Sequence, residues 1–174
     1  MKKKQKETKN VNPVTFIHNT INESVLHLYN KERIDNLTIF DSTWKCECCD
    51  DKFDVDIRYC DDCDSLTMYS NFDTYVDEQE ELQIRQVFDE LNQKYDFVRF
   101  ILDYDSESEM QEVVICGSIR HFSKNKHLLR YLLPELIDST RDYKKLFSEI
   151  ISSDKDSLSV LEDYENRYFY EEAC

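Results

Sequence analysis

A single glycine, Gly117, two prolines, Pro13 and Pro134, and one alanine, Ala173, are all that a chain of 174 residues holds of these types. Each shortage excludes something. P-loops, GxGxxG dinucleotide turns and GxSxG nucleophile elbows need several glycines for positive φ or close backbone approach, so functions built on those loops are excluded. No apolar run approaches the ~18 residues of a membrane span. The opening MKKKQKETK leads into Asn and Pro rather than an apolar stretch, so no secretory signal is expected and the chain is read as cytoplasmic. The four histidines, His18, His27, His121 and His127, stand singly without a paired-ligand spacing.

What is present is acid, aromatic and cysteine. A hydrophobic content of 40%, with 13% aromatic, is enough for a packed interior and argues for one core. Against 22 basic side chains stand 37 acidic ones, a formal net charge of -15, which favours basic partners and disfavours nucleic acid and anionic membranes. The charge is segregated. Residues 71–113 hold thirteen acids and three bases, a net of -10, whereas residues 118–147 hold seven bases and three acids, a net of +4. The predicted partner-binding residues are Asp77, Glu78, Glu80, Glu81, Asp103, Asp105, Glu107 and Glu109.

Periodicity predicts an α+β fold: a helical body with a β-hairpin and an inserted, zinc-ribbon-like β-module. Residues 1–10, five Lys against one Glu, form an expected mobile basic tail, and 11–174 a single domain. Asn12-Pro13 offers an N-cap and a proline at the first helical position; Val14, Ile17, Ile21, Val25 and Leu28 then predict a helix over about 13–32. Between 37 and 70 the pattern alternates, with Phe53, Val55 and Ile57 against Asp54, Asp56 and Arg58, which predicts the small β-module. Helical spacing returns over 77–95. DFVRFILDY and MQEVVICGSI predict a hairpin around the acidic turn DSESE, with Cys116 as a core residue. The remainder predicts three helices: one interrupted at or near Pro134, a second after a break at Asp138-Ser139-Thr140, and a last capped by Ser157.

Five of the seven cysteines fall within WKCECCDDKFDVDIRYCDDC, residues 44–63. Cys46 and Cys49 form one C-x-x-C pair, with Cys48 as a competing ligand, and Cys60 and Cys63 form the second. Two such pairs joined by a hairpin predict a tetrahedral four-thiolate site for one structural Zn2+, resembling the zinc-ribbon or knuckle class. Such a shell is closed, so no catalytic role is expected of it. Knuckles usually carry Gly or Pro beside the cysteines; here the neighbours are acids, among them Asp61, Asp62 and Asp64, and Asp tolerates the left-handed region the turn needs. The carboxylates of DSESE with Glu112 are dense enough for a Mg2+ nuclease, but the required E-x-K is missing, since Glu112 is followed by Val113-Val114. No enzymatic activity is expected.

A small, acidic, glycine-poor chain of AT-rich codon bias, carrying WKCECC and YCDDC, resembles the phage-encoded anti-CRISPR proteins, particularly a metal-binding inhibitor of type II systems. The resemblance implies a stoichiometric inhibitor in the cytoplasm of a bacterial host that binds the basic DNA-binding surface of an RNA-guided nuclease and blocks target DNA loading. Only Cys46, Cys49, Cys60 and Cys63 carry over, as zinc ligands. The alternative is a zinc-ribbon transcription or host-takeover factor that contacts DNA or polymerase through the basic tail and residues 119–130.

Overall fold

In a computed structural model the chain folds as α+β, around one six-stranded antiparallel sheet of order β1-β2-β3-β4-β6-β5. Residues 11–45, 52–106 and 108–171 are described. The strands are β1 (His27–Ile34), β2 (Leu37–Lys45), β3 (Lys52–Cys60), β4 (Ser65–Val76), β5 (Val98–Asp105) and β6 (Met110–Arg120). The helices are α1 (Pro13–Asn22), α2 (Glu81–Leu91), α3 (Phe122–Asn125), α4 (Leu129–Tyr143), α5 (Leu146–Ser152) and α6 (Ser157–Glu165). The β4-α2-β5 crossover leaves a slot between its strands, and β6 fills it, so the expected 98–120 hairpin is both present and central to the sheet.

The separate β-module is not found. The residues read as an insertion form β2, β3 and the start of β4, paired without interruption into the sheet. Their alternation arises because one face meets helices: Phe53, Val55, Ile57 and Tyr59 are buried, as are Phe40 and Trp44 on β2 and Leu66, Met68 and Phe72 on β4. These join Ile84, Val87, Phe88 and Leu91 of α2, Leu132 and Leu136 of α4, and Phe147 and Ile150 of α5 in one continuous core. At its centre Phe100 is 1% exposed and has five rings, those of Phe72, Phe88, Tyr95, Tyr143 and Phe147, with centroids 5.7–6.2 Å away.

Four local expectations are corrected. The first helix stops at Asn22, where Ser24 Oγ donates to Ile21 O and accepts from Leu26 N, turning the chain into edge strand β1. Helix α4 runs through both Pro134 and the anticipated break: Ser139 and Thr140 bury their hydroxyls by donating them to Glu135 O and Leu136 O at 2.6 and 2.7 Å. The cap of α6 is Asp156, whose Oδ2 accepts from Ser159 N at 3.1 Å, rather than Ser157. Cys116 is half-buried on the face of β6 opposite the core.

With glycine so scarce, left-handed backbone falls to other residues: Asp35, Asp64 and Asp73 take φ of 46–51°, with Glu109 at 58° and His121 at 51°. Asp35 and Asp64 stand at strand junctions, and Asp73 lies where the β4–β6 register shifts. Short polar side chains lower the cost of this region by bonding locally. Asp64 Oδ1, for example, accepts from Ser123 N and Oγ at 2.9 and 2.6 Å.

Candidate functional site

No described helix covers the second face of the sheet. Strand alternation fixes what lies there: Asp41 on β2; Asp54, Asp56 and Arg58 on β3; Tyr69 and Asn71 on β4; Glu112, Val114 and Cys116 on β6; Arg99, Ile101 and Asp103 on β5. The register joins them across the strands, with Asp41 opposite Asp56, Asp56 opposite Tyr69, Tyr69 opposite Cys116, and Glu112 opposite Asp103. A concavity of about 220 Å³ opens in the middle, between the carboxylates of Asp54 and Asp56 on one side and Asp103 and Glu112 on the other. Tyr69 and Asn71 stand between them. The Arg58 guanidinium lies over the Tyr69 ring, 5.0 Å from its centroid, and 3.5 Å from Asp56.

The carboxylates repel one another. Burial, then the charges of Asp41 and Asp54, push the Asp56 carboxyl above its ordinary range despite Arg58. Burial, then Asp73, Asp105 and Asp103, do the same to Glu112, whose Oε1 is buried without a hydrogen-bond partner. Burial and the charges of Asp54, Asp41 and Asp56 raise the Tyr29 phenol as well. A carboxyl whose folded-state pKa is raised binds its proton more tightly folded than unfolded, so its contribution to stability is complete below the ordinary carboxylate range and is lost as pH climbs through the raised value. The double substitution Asp56→Asn/Glu112→Gln is therefore expected to raise Tm relative to the natural chain at neutral pH, with the difference vanishing near pH 3. Thermal melts between about pH 3 and pH 8 measure this; a gap that persists unchanged at the acid end would show that repulsion is not its source.

The sequence-predicted acids gather at one end of this face. Val76 pairs with Gln111, so Asp77, Glu78, Glu80 and Glu81 follow directly from the sheet end where Asp105 pairs with Met110. The Gln111 amide donates to Glu81 Oε2 at 3.1 Å, tying the start of α2 to that end. Asp103 and Asp105 point to the open face and Glu109 sits in the β5–β6 turn; Glu107 lies outside the described residues. Asp77 and Glu80 are partly occupied locally, since Asp77 Oδ1 accepts from Gln79 N and Glu80 N while Glu80 Oε2 accepts from Asp77 N. Asp41, Tyr69 and Asn71 lie outside the acidic stretch, mainly 73–112, that the sequence points to as the partner surface. The Asp54/Asp56 alternation against Phe53/Val55/Ile57 was the available signal that the acids of β3 share one face.

Of the four thiolates predicted to hold zinc, Cys60 and Cys63 fall among the described residues. Cys46 and Cys49, with Cys48, lie outside the described residues, but Lys45 and Lys52 on either side pair with each other, and Cys60 pairs with Leu37 at the opposite end of the same ladder. Eight residue steps separate Lys52 from Cys60, roughly 27 Å at about 3.4 Å each. Among the described residues no group of three or more His, Cys, Asp or Glu is placed to hold an ion.

No described helix is long and apolar enough to cross a membrane. Comparison of the chain with protein families, with curated proteins and with solved structures finds no match in any of the three.

Proposed function

We propose that the protein acts by binding: its acidic sheet face and the acidic end beside it engage a basic protein surface. The partner class is a nucleic-acid-processing enzyme, and the RNA-guided nuclease of a type II CRISPR system is the first to test. One observation carries the reading. Seven carboxylates share one face or its margin, and burial, followed by neighbouring charge, raises the pKa of Asp56 (Asp41 and Asp54, against Arg58) and of Glu112 (Asp73, Asp105 and Asp103, against Asn71), so part of their repulsion remains within the chain. A guanidinium or ammonium from a partner would relieve it, converting an unfavourable term of the free protein into affinity. An enzyme that grips DNA phosphates presents such cations in a row.

The test is a pull-down against the nuclease with and without guide RNA, followed by a target-DNA loading assay. Loading should fall stoichiometrically with added protein. Substituting Asp54, Asp56, Asp103 and Glu112 together by Lys should slow association by at least ~10-fold at low salt and flatten its salt dependence. Lys124→Glu, near the opposite end of β6, should change little. Unimpaired DNA loading at excess protein would overturn the nuclease reading, and a charge-reversed variant that binds basic partners as before would overturn the surface.

A further inference from the structure

Cys60 and Cys63 share one turn, and the first sulfur rests against the backbone of the second cysteine. Cys60 closes β3, where it pairs with Ser65 across the loop 61–64, and Cys63 is exposed within that loop. The Cys63 backbone N–H donates to Cys60 Sγ at 3.5 Å, and Cys63 Sγ lies 3.0 Å from Ser65 Oγ. A tight turn holds residues three apart within about 7 Å, Cα to Cα, and a disulfide spans about 4.4–6.8 Å, so closing a bond here asks for side-chain rotation rather than movement of a strand. The turn is clamped on both flanks. Asp61 N donates to Asn36 O at 2.8 Å, and Arg33 and Asn36 bond the Asp61 and Asp62 carboxylates. On the other side Phe122 N donates to Asp64 O at 2.8 Å, and Asp64 Oδ1 takes the Ser123 hydroxyl and amide. The remaining described cysteine, Cys116, is half-buried and pairs with Tyr69, four residues along β4 from Ser65 and so roughly 13 Å away at about 3.3 Å each.

We infer that Cys60 and Cys63 form a reversible dithiol–disulfide couple that exchanges with small disulfides such as glutathione disulfide and closes on itself within the turn. Thiol–disulfide exchange proceeds through attack of one sulfur on a disulfide and a mixed-disulfide intermediate, so access decides which cysteine begins. Cys63 is the exposed one. Its sulfur, after loss of the thiol proton to solvent, bonds to one sulfur of glutathione disulfide; the glutathione S–S bond breaks, and one glutathione leaves with the electron pair and takes up a proton. Cys60 Sγ, held against the Cys63 backbone, then attacks Cys63 Sγ in the same way and expels the second glutathione. The protein gives up two electrons and two protons, and one glutathione disulfide becomes two glutathione thiols. The second step is intramolecular, between groups already held in place, and this favours closure over a lasting glutathione adduct. Excess glutathione drives both steps backwards. Closure also keeps either sulfur from the irreversible oxidation states open to an isolated exposed thiol. The turn lies at the opposite end of β6 from Glu112, since Ser65 pairs with Arg120, and the couple stands independently of the proposed function.

The experiment uses the full chain, reduced and kept with a chelator, equilibrated with glutathione and glutathione disulfide at stepped ratios, then alkylated and mapped by peptide mass spectrometry. As the disulfide share rises, Cys60 and Cys63 should lose alkylation together and appear as one linked peptide lighter by two hydrogens, while Cys116 stays alkylated; added glutathione should restore both thiols. The variant Cys46→Ser/Cys48→Ser/Cys49→Ser should oxidise at Cys60 and Cys63 as the natural chain does. Cys60→Ser removes the second attack, so it should accumulate the glutathione adduct at Cys63 at least ~10-fold above the natural chain. The mapping of the natural chain needs no variant and decides the matter even if Cys60→Ser folds poorly. Both thiols still alkylated at excess glutathione disulfide, Cys60 or Cys63 linked to a different cysteine, or a Cys63 adduct equally abundant with and without Cys60 would each overturn the inference.

Discussion

Phe100→Ala should lower the free energy of unfolding by about 3–5 kcal/mol, the range for emptying a well-packed aromatic site. The side chain is 1% exposed, and the five rings around it come from four other elements or their flanks, β4, α2, α4 and α5, so the space cannot be refilled by one rotamer change. For a chain of this length each kcal/mol moves Tm by about 2–4 °C, giving a drop of about 6–20 °C. Tyr104→Ala on the same strand is the control. Tyr104 is 64% exposed, and its loss should stay within about 0.5 kcal/mol. Comparable melting shifts for the two variants would mean that β5 does not carry the centre of the core.

Gly117→Ala should cost about 1–3 kcal/mol, although alanine usually suits a strand better than glycine. The backbone there is not left-handed, so the substitution meets no φ penalty and gains roughly 0.4–1 kcal/mol from the less flexible unfolded chain. Packing outweighs that gain. A Cβ at Gly117 would stand 2.2 Å from Leu132 Cδ1 and 2.8 Å from Phe97 O, one the side chain of a buried helix residue and the other backbone. Overpacking of this kind forces off-rotamer side chains or backbone shifts. A double-mutant cycle with Leu132→Ala should recover at least ~0.5 kcal/mol, because the cavity left by one change accommodates the other. The Phe97 contact remains, so recovery should be incomplete. Chemical denaturation of the four proteins measures all terms, and additive effects would sink the argument that α4 lies against β6 through this glycine.

The elements easiest to read were those with one wet and one dry face. Phe53, Val55 and Ile57 showed the period of two, and Ile84, Val87, Phe88 and Leu91 the helical stripe. Strand β1 was missed because HLYNKERI is an edge with almost no buried side chain, and the coincidental spacing of Val25 and Leu28 extended the helical pattern across it. Ser139 and Thr140 read as a turn because, in a sequence, a hydroxyl that will bond back to its own helix looks the same as one that will leave it. Partnering between strands was the larger omission. Periodicity says which face a residue takes but not which strand lies beside it, so a run of three central strands passed for an insertion.

The same limit governed the site. The acids at 77–81 and 103–109 were legible as runs, and the sheet places them at one end. Asp41 and Asp56 are fifteen residues apart in the chain and acquire a shared role only through a β2–β3 pair. The cysteine spacing has the same limit. C-x-x-C spacing identifies a grip, whereas the distance between two grips depends on whether the ten residues joining them cross a short turn or run the length of a strand. Here Lys52–Cys60 runs as strand, paired along its length with Leu37–Lys45.

The aspartates in left-handed backbone have a consequence for engineering. Asp35, Asp64 and Asp73 occupy positions where glycine is ordinarily the relaxed choice, and they add three negative charges as they do so. Backbone geometry and surface potential are thus written in the same residues. Introducing glycine at Asp35 or Asp73 would relax the backbone and discharge the surface in one step, whereas at Asp64 it would also remove the hydrogen bonds from Ser123, so the three corners are not equivalent in a variant selected for stability.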